Sequence, residues 1–391
     1  MPQDRSRQVS FLKLLLHAGF FVSGISTVLI GQVLPVLSTK FALNDELTAN
    51  FFPAQFAGSL TGTFLTNWFG NRGRFLAASY IGCALMAIGV LLLNLGSYEV
   101  CLLGFVVNGL GIGLTLPAIN MLVLELSPES TTASLNVLNF FWGFGAIVSQ
   151  PFVDLLGRGT DILVPTGLLS GMLALIAVAL ALSPSGIEKK PMAVAEDDDG
   201  GLLPIWTTTV AWIIAAFNFI HVGFESAMGG WLKTYTQRLD PTATGLFPPI
   251  LIYFIFFVVG RGVAPVFFRF LNDNRMILVS LALTMTGVVL LLWSSTVATL
   301  GIAAAIAGFG TSSIFPTNMS RFTKTFGPTA SRRATPFFVC GTLGAACTTW
   351  LVGLVSTKFD SLRSGMFLLL FGLAVLVLLQ TYLTARRTSM A

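Results

Sequence analysis

The sequence predicts an all-α polytopic membrane protein of twelve transmembrane helices, folded as two six-helix pseudo-symmetric bundles. Three observations lead there: an apolar composition, apolar runs at span length, and an internal repeat at an offset of about 200 residues. Hydrophobic residues make up 54% of the 391, charged residues only 10%, and the mean hydropathy is +0.82. Water cannot solvate so much apolar surface, whereas lipid accepts it if each segment satisfies its own backbone hydrogen bonds as a helix.

A span needs about 20 apolar residues. Counting on that length and breaking at charges places the first six helices near 11–38, 46–70, 73–95, 99–125, 131–156 and 161–183. Six more follow near 205–236, 243–269, 275–295, 297–322, 331–357 and 361–385. The first run follows Arg5, Arg7 and Lys13 and is too long for a signal-peptide core, so it reads as a retained helix. The one clearly polar stretch, with Lys189, Lys190 and the acids Glu196 to Asp199, divides the chain into residues 1–183, a linker 184–203, and residues 204–391.

Sorting Lys and Arg by loop leaves sixteen on the side of the termini and the linker. Six fall on the other: Lys40, Arg158, Lys233, Arg238, Lys358 and Arg363. That asymmetry predicts cytoplasmic termini and a cytoplasmic linker; the membrane expected is a plasma membrane, a bacterial inner one. The repeat is clearest between Gly109–Asn120 and Gly308–Asn318, where Gly109/Gly308, Gly111/Gly310 and Pro117/Pro316 coincide. Asn71, Arg74 and Ser79 likewise face Asn272, Arg275 and Ser280. Each half has an even number of spans, so the repeat is parallel, as in many secondary transporters.

Other classes find little support. The four cysteines, Cys83, Cys101, Cys340 and Cys347, have no metal or disulfide spacing and read as small core residues. The net charge of +5 is scattered at helix ends rather than interleaved with aromatics, which argues against nucleic acid. No paired catalytic acids, HExxH, nucleotide loop or ligand cluster stands out, so neither an enzyme nor a cofactor is expected.

Six plus six spans with a basic loop after the second resemble the major facilitator superfamily. In its pattern for that loop, GTFLTNWFGNRGR keeps Gly62, Gly70, Arg72 and Arg74, but has Asn67 where an acid is usual and Trp68 where a base is usual. Within the superfamily the chain is similar to the fucose/galactose/glucose-proton symporters and related sugar transporters. The likeness rests on Leu116 to Gly145, His221 to Tyr235, and Val258 to Phe270. It implies alternating-access transport of a small polar solute, a hexose first, with a proton or sodium as coupling ion, by a lipid-embedded monomer. The fucose carriers have an acid where this chain has Gly31, and another where it has Leu116, so their coupling residues do not transfer. An exporter of amphipathic, drug-like compounds is the competing transport reading.

Glu225 is the expected proton site, since a carboxylate in a membrane helix is costly unless neutralised, paired or hydrated. It lies about 16 Å from the outer end of its span, counted at 1.5 Å per residue. His221, one turn away on the same face, would share its proton. Arg261 comes out about 24 Å deep, some 8 Å nearer the cytoplasm. That is far for a salt bridge and assigns it to the inner gate or to helix-end carbonyls, with Arg72, Arg74 and Arg275 as further gating residues. Gly229 and Gly230 are candidate bending points for the outer gate. Sugar hydroxyls need amides and sugar faces need indoles. The candidates are Gln32, Gln55, Asn120, Asn136, Asn139, Trp142, Asn218, Trp231 and Asn318, with Glu225 as a hydroxyl acceptor.

Overall fold

A computed structural model describes residues 2–127, 131–157, 161–183, 205–241, 247–267, 270–327 and 334–388. The expected linker 184–203 lies outside these, as do Arg158, Arg269, Arg332 and Arg333. The described residues are almost entirely helical. In order they form α1 (Pro2–Lys40), α2 (Asp45–Ala49), α3 (Phe51–Gly70), α4 (Phe75–Leu92), α5 (Tyr98–Leu126), α6 (Thr131–Leu156) and α7 (Leu163–Ala181). A 3₁₀ turn, Ile205–Thr207, precedes α8 (Thr209–Leu239), α9 (Pro249–Phe267), α10 (Asp273–Trp293), α11 (Val297–Thr311), α12 (Ile314–Phe326), α13 (Thr335–Lys358) and α14 (Leu362–Thr388). With α11 and α12 taken as one interrupted span and the five-residue α2 set apart as too short to cross a membrane, these make the twelve expected spans.

Among the described residues, two of the expected runs are interrupted. The run expected over 46–70 is split into α2 and α3 because Pro53 has no N–H for the Ala49 carbonyl four residues back. The run expected over 297–322 breaks at Ser312–Ser313, just before Pro316, and continues to Phe326.

The chain divides into two compact units, one of residues 1–42 and 50–198, the other of 43–49 and 199–391. In the first unit α3 and α5 pack backbone to backbone. A Cβ on Gly58 or Gly62 would strike the Val106 or Leu110 carbonyl, and one on Gly109 or Gly113 would strike that of Gln55 or Ser59. Two interlocked small-x-x-x-small elements thus replace the hydrophobic drive that lipid removes.

The second unit repeats the scheme. Gly308, the mate of Gly109, lies against the Tyr253 carbonyl as Gly109 does against that of Gln55. A Cβ on Gly310 would come to 2.5 Å from the Thr284 nitrogen, and one on Gly111 to 2.6 Å from that of Met86. Gln55 and Tyr253 therefore hold equivalent places in the two units.

The seven residues Leu43–Ala49 precede the second span in sequence but belong to the second unit. Asp45 accepts from both terminal guanidinium nitrogens of Arg238, one at 2.7 Å, and from the Ser356 hydroxyl. The Glu46 N–H donates to Thr357 Oγ1 at 2.8 Å, and Ala49 sits against Gly353.

Candidate functional site

In the second unit the packing of α8 on α13 decides which way the site faces. Gly223 lies against Thr348 and the Gly344 carbonyl. His221 and Glu225, each two residues from Gly223 and so about 200° around the helix, point the other way, toward α9. His221 is fully buried, and its Nε2 is 3.4 Å from Glu225 Oε1. Arg261 Nη2 approaches the same oxygen at 4.0 Å, with the Glu225 side chain 18% exposed and that of Arg261 38%.

Depth along the helix axes sets Arg261 and Glu225 about 8 Å apart. The structure brings their charged atoms to 4.0 Å because a long guanidinium stem leans across from the neighbouring helix. Along α9, Tyr253, Phe257 and Arg261 recur every four residues. The Tyr253 and Phe257 rings stack at 6.1 Å, and the guanidinium carbon lies 4.1 Å from the centre of Phe257. Among the described residues the buried Tyr253 hydroxyl has no hydrogen-bond partner, and it is within electrostatic range of Glu225 and Arg261.

The α11–α12 break also reaches this cluster. Pro316 cannot donate to the carbonyl four residues back, Ser312, and Arg261 Nε supplies the missing donor at 3.3 Å. The first unit meets the same problem without charge. Pro117 frees the Gly113 carbonyl within the continuous α5, and the Thr66 hydroxyl reaches it at 3.0 Å.

The expected binding amides are placed unevenly. Asn218 donates to the Phe337 carbonyl at 2.9 Å and Asn318 to that of Ile214 at 3.2 Å, while their Oδ1 atoms are buried without a partner among the described residues. Trp231 is fully buried, its indole N–H on the Thr349 carbonyl at 2.9 Å. In the first unit Gln55 donates to the Thr27 carbonyl at 3.1 Å, and Gln32 is fully buried. Asn120 and Asn139 return to carbonyls of their own helices, each at 2.8 Å, and Asn136 and Asn139 are exposed. The Trp142 indole N–H is buried and has no partner among the described residues.

Of the gating candidates, Arg72, Arg74 and Arg275 lie at helix ends, and the Arg72 guanidinium lies 3.9 Å from the centre of the Trp68 ring. α8 runs unbroken through Gly229 and Gly230. Sequence reasoning passed over Tyr253, Ser312 and Asn108, the last fully buried and accepting from Ser26 at 2.7 Å. The signal for Ser312 was present, a place four residues before Pro316, whereas the equivalence of Tyr253 to Gln55 emerges only from the packing of Gly308 and Gly109.

The family model described as Major Facilitator Superfamily matches residues 16–338. Among solved structures, a bacterial homologue of the human lysosomal transporter Spinster, inward-facing and unoccupied, is 13% identical. It superposes with a TM-score of 0.78, covering 95% of this chain and 96% of its own. The nucleoside transporter NupG gives 0.74 at 14% identity, covering 96% and 98%. A variant of the E. coli fucose:proton symporter FucP gives 0.60 at 18%, covering 96% and 99%. At these identities the likeness is one of fold. A search of curated proteins gives no match.

Proposed function

The chain belongs to the major facilitator superfamily and is a multi-pass membrane transporter rather than an enzyme, and we propose that it accumulates a monosaccharide in symport with protons. Glu225 is the proton site and His221 its neighbour. The observation that carries the reading is the Glu225 carboxylate, partly exposed between a buried imidazole at 3.4 Å and a guanidinium at 4.0 Å. Such a group can exchange a proton with an accessible space while its charge is offset inside the unit. The unspent Oδ1 atoms of Asn218 and Asn318 are acceptors suited to sugar hydroxyls. FucP, named a fucose:proton symporter, and a D-xylose-proton symporter share the fold and support the cargo class. The membrane is a bacterial inner membrane, the termini are cytoplasmic, and the transporter works as a monomer.

The test is uptake of labelled glucose, galactose, fucose and a nucleoside into proteoliposomes under an imposed proton or sodium gradient. The expected result is proton-driven accumulation of one hexose that Glu225→Gln abolishes while counterflow exchange persists. Undiminished accumulation by the variant removes Glu225 from coupling. Accumulation of the nucleoside alone, or a requirement for sodium, refutes the cargo or the ion.

A further inference from the structure

Arg261 has two partners, one by hydrogen bond at the α11–α12 break and one by ion pairing on α8. One is the Ser312 carbonyl, 3.3 Å from its Nε, which is free because Pro316 has no N–H to give it. The other is Glu225 Oε1 on α8, 4.0 Å from its Nη2. The equivalent carbonyl in the first unit, that of Gly113, is held by a neutral hydroxyl from Thr66, so carbonyl capping at this place does not itself require charge. A cation used where a hydroxyl suffices links the interrupted span to the carboxylate beside it.

We propose that Arg261 is a positioning residue that transmits the protonation state of Glu225 to the α11–α12 break. With Glu225 ionised, the guanidinium is shared between the carboxylate and the Ser312 carbonyl, and the break is held loosely. With Glu225 neutral, the attraction toward α8 lapses, Arg261 settles on the carbonyl, and the break tightens. Discontinuous spans are places where transporters change shape, so a proton taken up at Glu225 becomes a change in the tenth span. This inference rests on Glu225 being the proton site.

Among the described residues the charged and titratable groups around Glu225 are few. On α8 they are His221 and Glu225, and on α9 Tyr253 and Arg261. α11 contributes none, and α13, packed on α8, has the thiols Cys340 and Cys347 and a single charged residue, Lys358, on its last turn. α12 brings Arg321, whose guanidinium lies 5.2 Å from the centre of the Phe217 ring, and Lys324, paired with Asp273 of α10 at 2.7 Å. α10 adds Arg275 in its first turn, and α14 has Arg363 at its start and Arg386 and Arg387 near its end.

The test is chosen so that this link and the proton-site reading fail separately. Amide hydrogen exchange over residues 313–319 is measured on the full-length protein in nanodiscs at one alkaline pH, so that intrinsic rates cancel. Compared are the wild type, Glu225→Gln, Arg261→Gln, Arg261→Lys, Pro316→Ala and the pairs of the last three with Glu225→Gln. Glu225→Gln should slow exchange at the break by threefold or more. Arg261→Gln should exchange fast with either residue at 225. Pro316→Ala, which returns an N–H to the Ser312 carbonyl, should exchange slowly with either, and Arg261→Lys should restore part of the dependence. Equal exchange in wild type and Glu225→Gln overturns the proposal, as does a response that survives Arg261→Gln. If the exchange pattern is as expected but Glu225→Gln still accumulates sugar, the link stands and the proton-coupling reading falls.

Discussion

Thr66→Val isolates the way this fold accommodates a proline inside a span. The hydroxyl lies 3.0 Å from the Gly113 carbonyl, 3.1 Å from that of Leu114 and 3.1 Å from that of Gly62 in its own helix. Thr66 is 1% exposed and valine has the same shape, so the substitution removes the donor without opening a cavity. A buried carbonyl left without a donor costs about 1–3 kcal/mol. Because the single hydroxyl proton serves one carbonyl at a time, the lower half of that range, about 1–2 kcal/mol, is expected. Pro117→Ala returns a backbone N–H to Gly113, so in that background Thr66→Val should cost little. The double-mutant cycle, read from SDS-induced unfolding in mixed micelles by circular dichroism, should show a coupling of about 1 kcal/mol in the rescuing direction. Costs that add to within about 0.3 kcal/mol mean the two residues do not share the carbonyl, and the reasoning about proline-freed carbonyls, Ser312 included, fails with them.

Other outcomes follow from the packing. Gly344→Val should yield no folded protein after detergent extraction, because its Cβ would occupy the place of the Phe219 carbonyl, whereas Gly167→Ala, with nothing within 4 Å, should elute and melt as the wild type does. Asp45→Ala removes a buried carboxylate that is bonded to Arg238 and Ser356. It should lower the unfolding midpoint by the equivalent of about 2 kcal/mol, discounted for the exposure of Arg238. Asp45→Ala with Arg238→Ala should be no worse than Asp45→Ala alone, and a further fall would show that the pair does not act as a unit.

The spans were legible because hydropathy acts over twenty residues and tolerates local error. The exceptions were local: the breaks beside Pro53 and just before Pro316 fall in runs whose average hydropathy hardly registers them. Glu225 and His221 could be placed together, since four residues along a helix fix their spacing. Arg261 could not, because axial depth locates a Cα while the charge sits at the end of a long, leaning stem. Asn136 and Asn139 illustrate the limit for binding residues. An amide inside an apolar run signals a polar need, but only the facing helix decides whether that need is met by a carbonyl, as for Asn218, or the side chain stays exposed.

The short helix between the first two spans also constrains how the protein is made. Asp45 and Glu46 are held by Ser356 and Thr357, 311 residues further along the chain. At about 5–20 residues per second, their partners leave the ribosome some 15–60 s later. Arg238 of α8 is made earlier, 193 residues after Asp45, so for the rest of that interval the segment has its guanidinium partner but lacks its two α13 contacts while most spans are already in the membrane. Completion of α13 is therefore a late checkpoint of biogenesis, and a protein truncated before Ser356 would keep this acidic segment open to protease or chaperone.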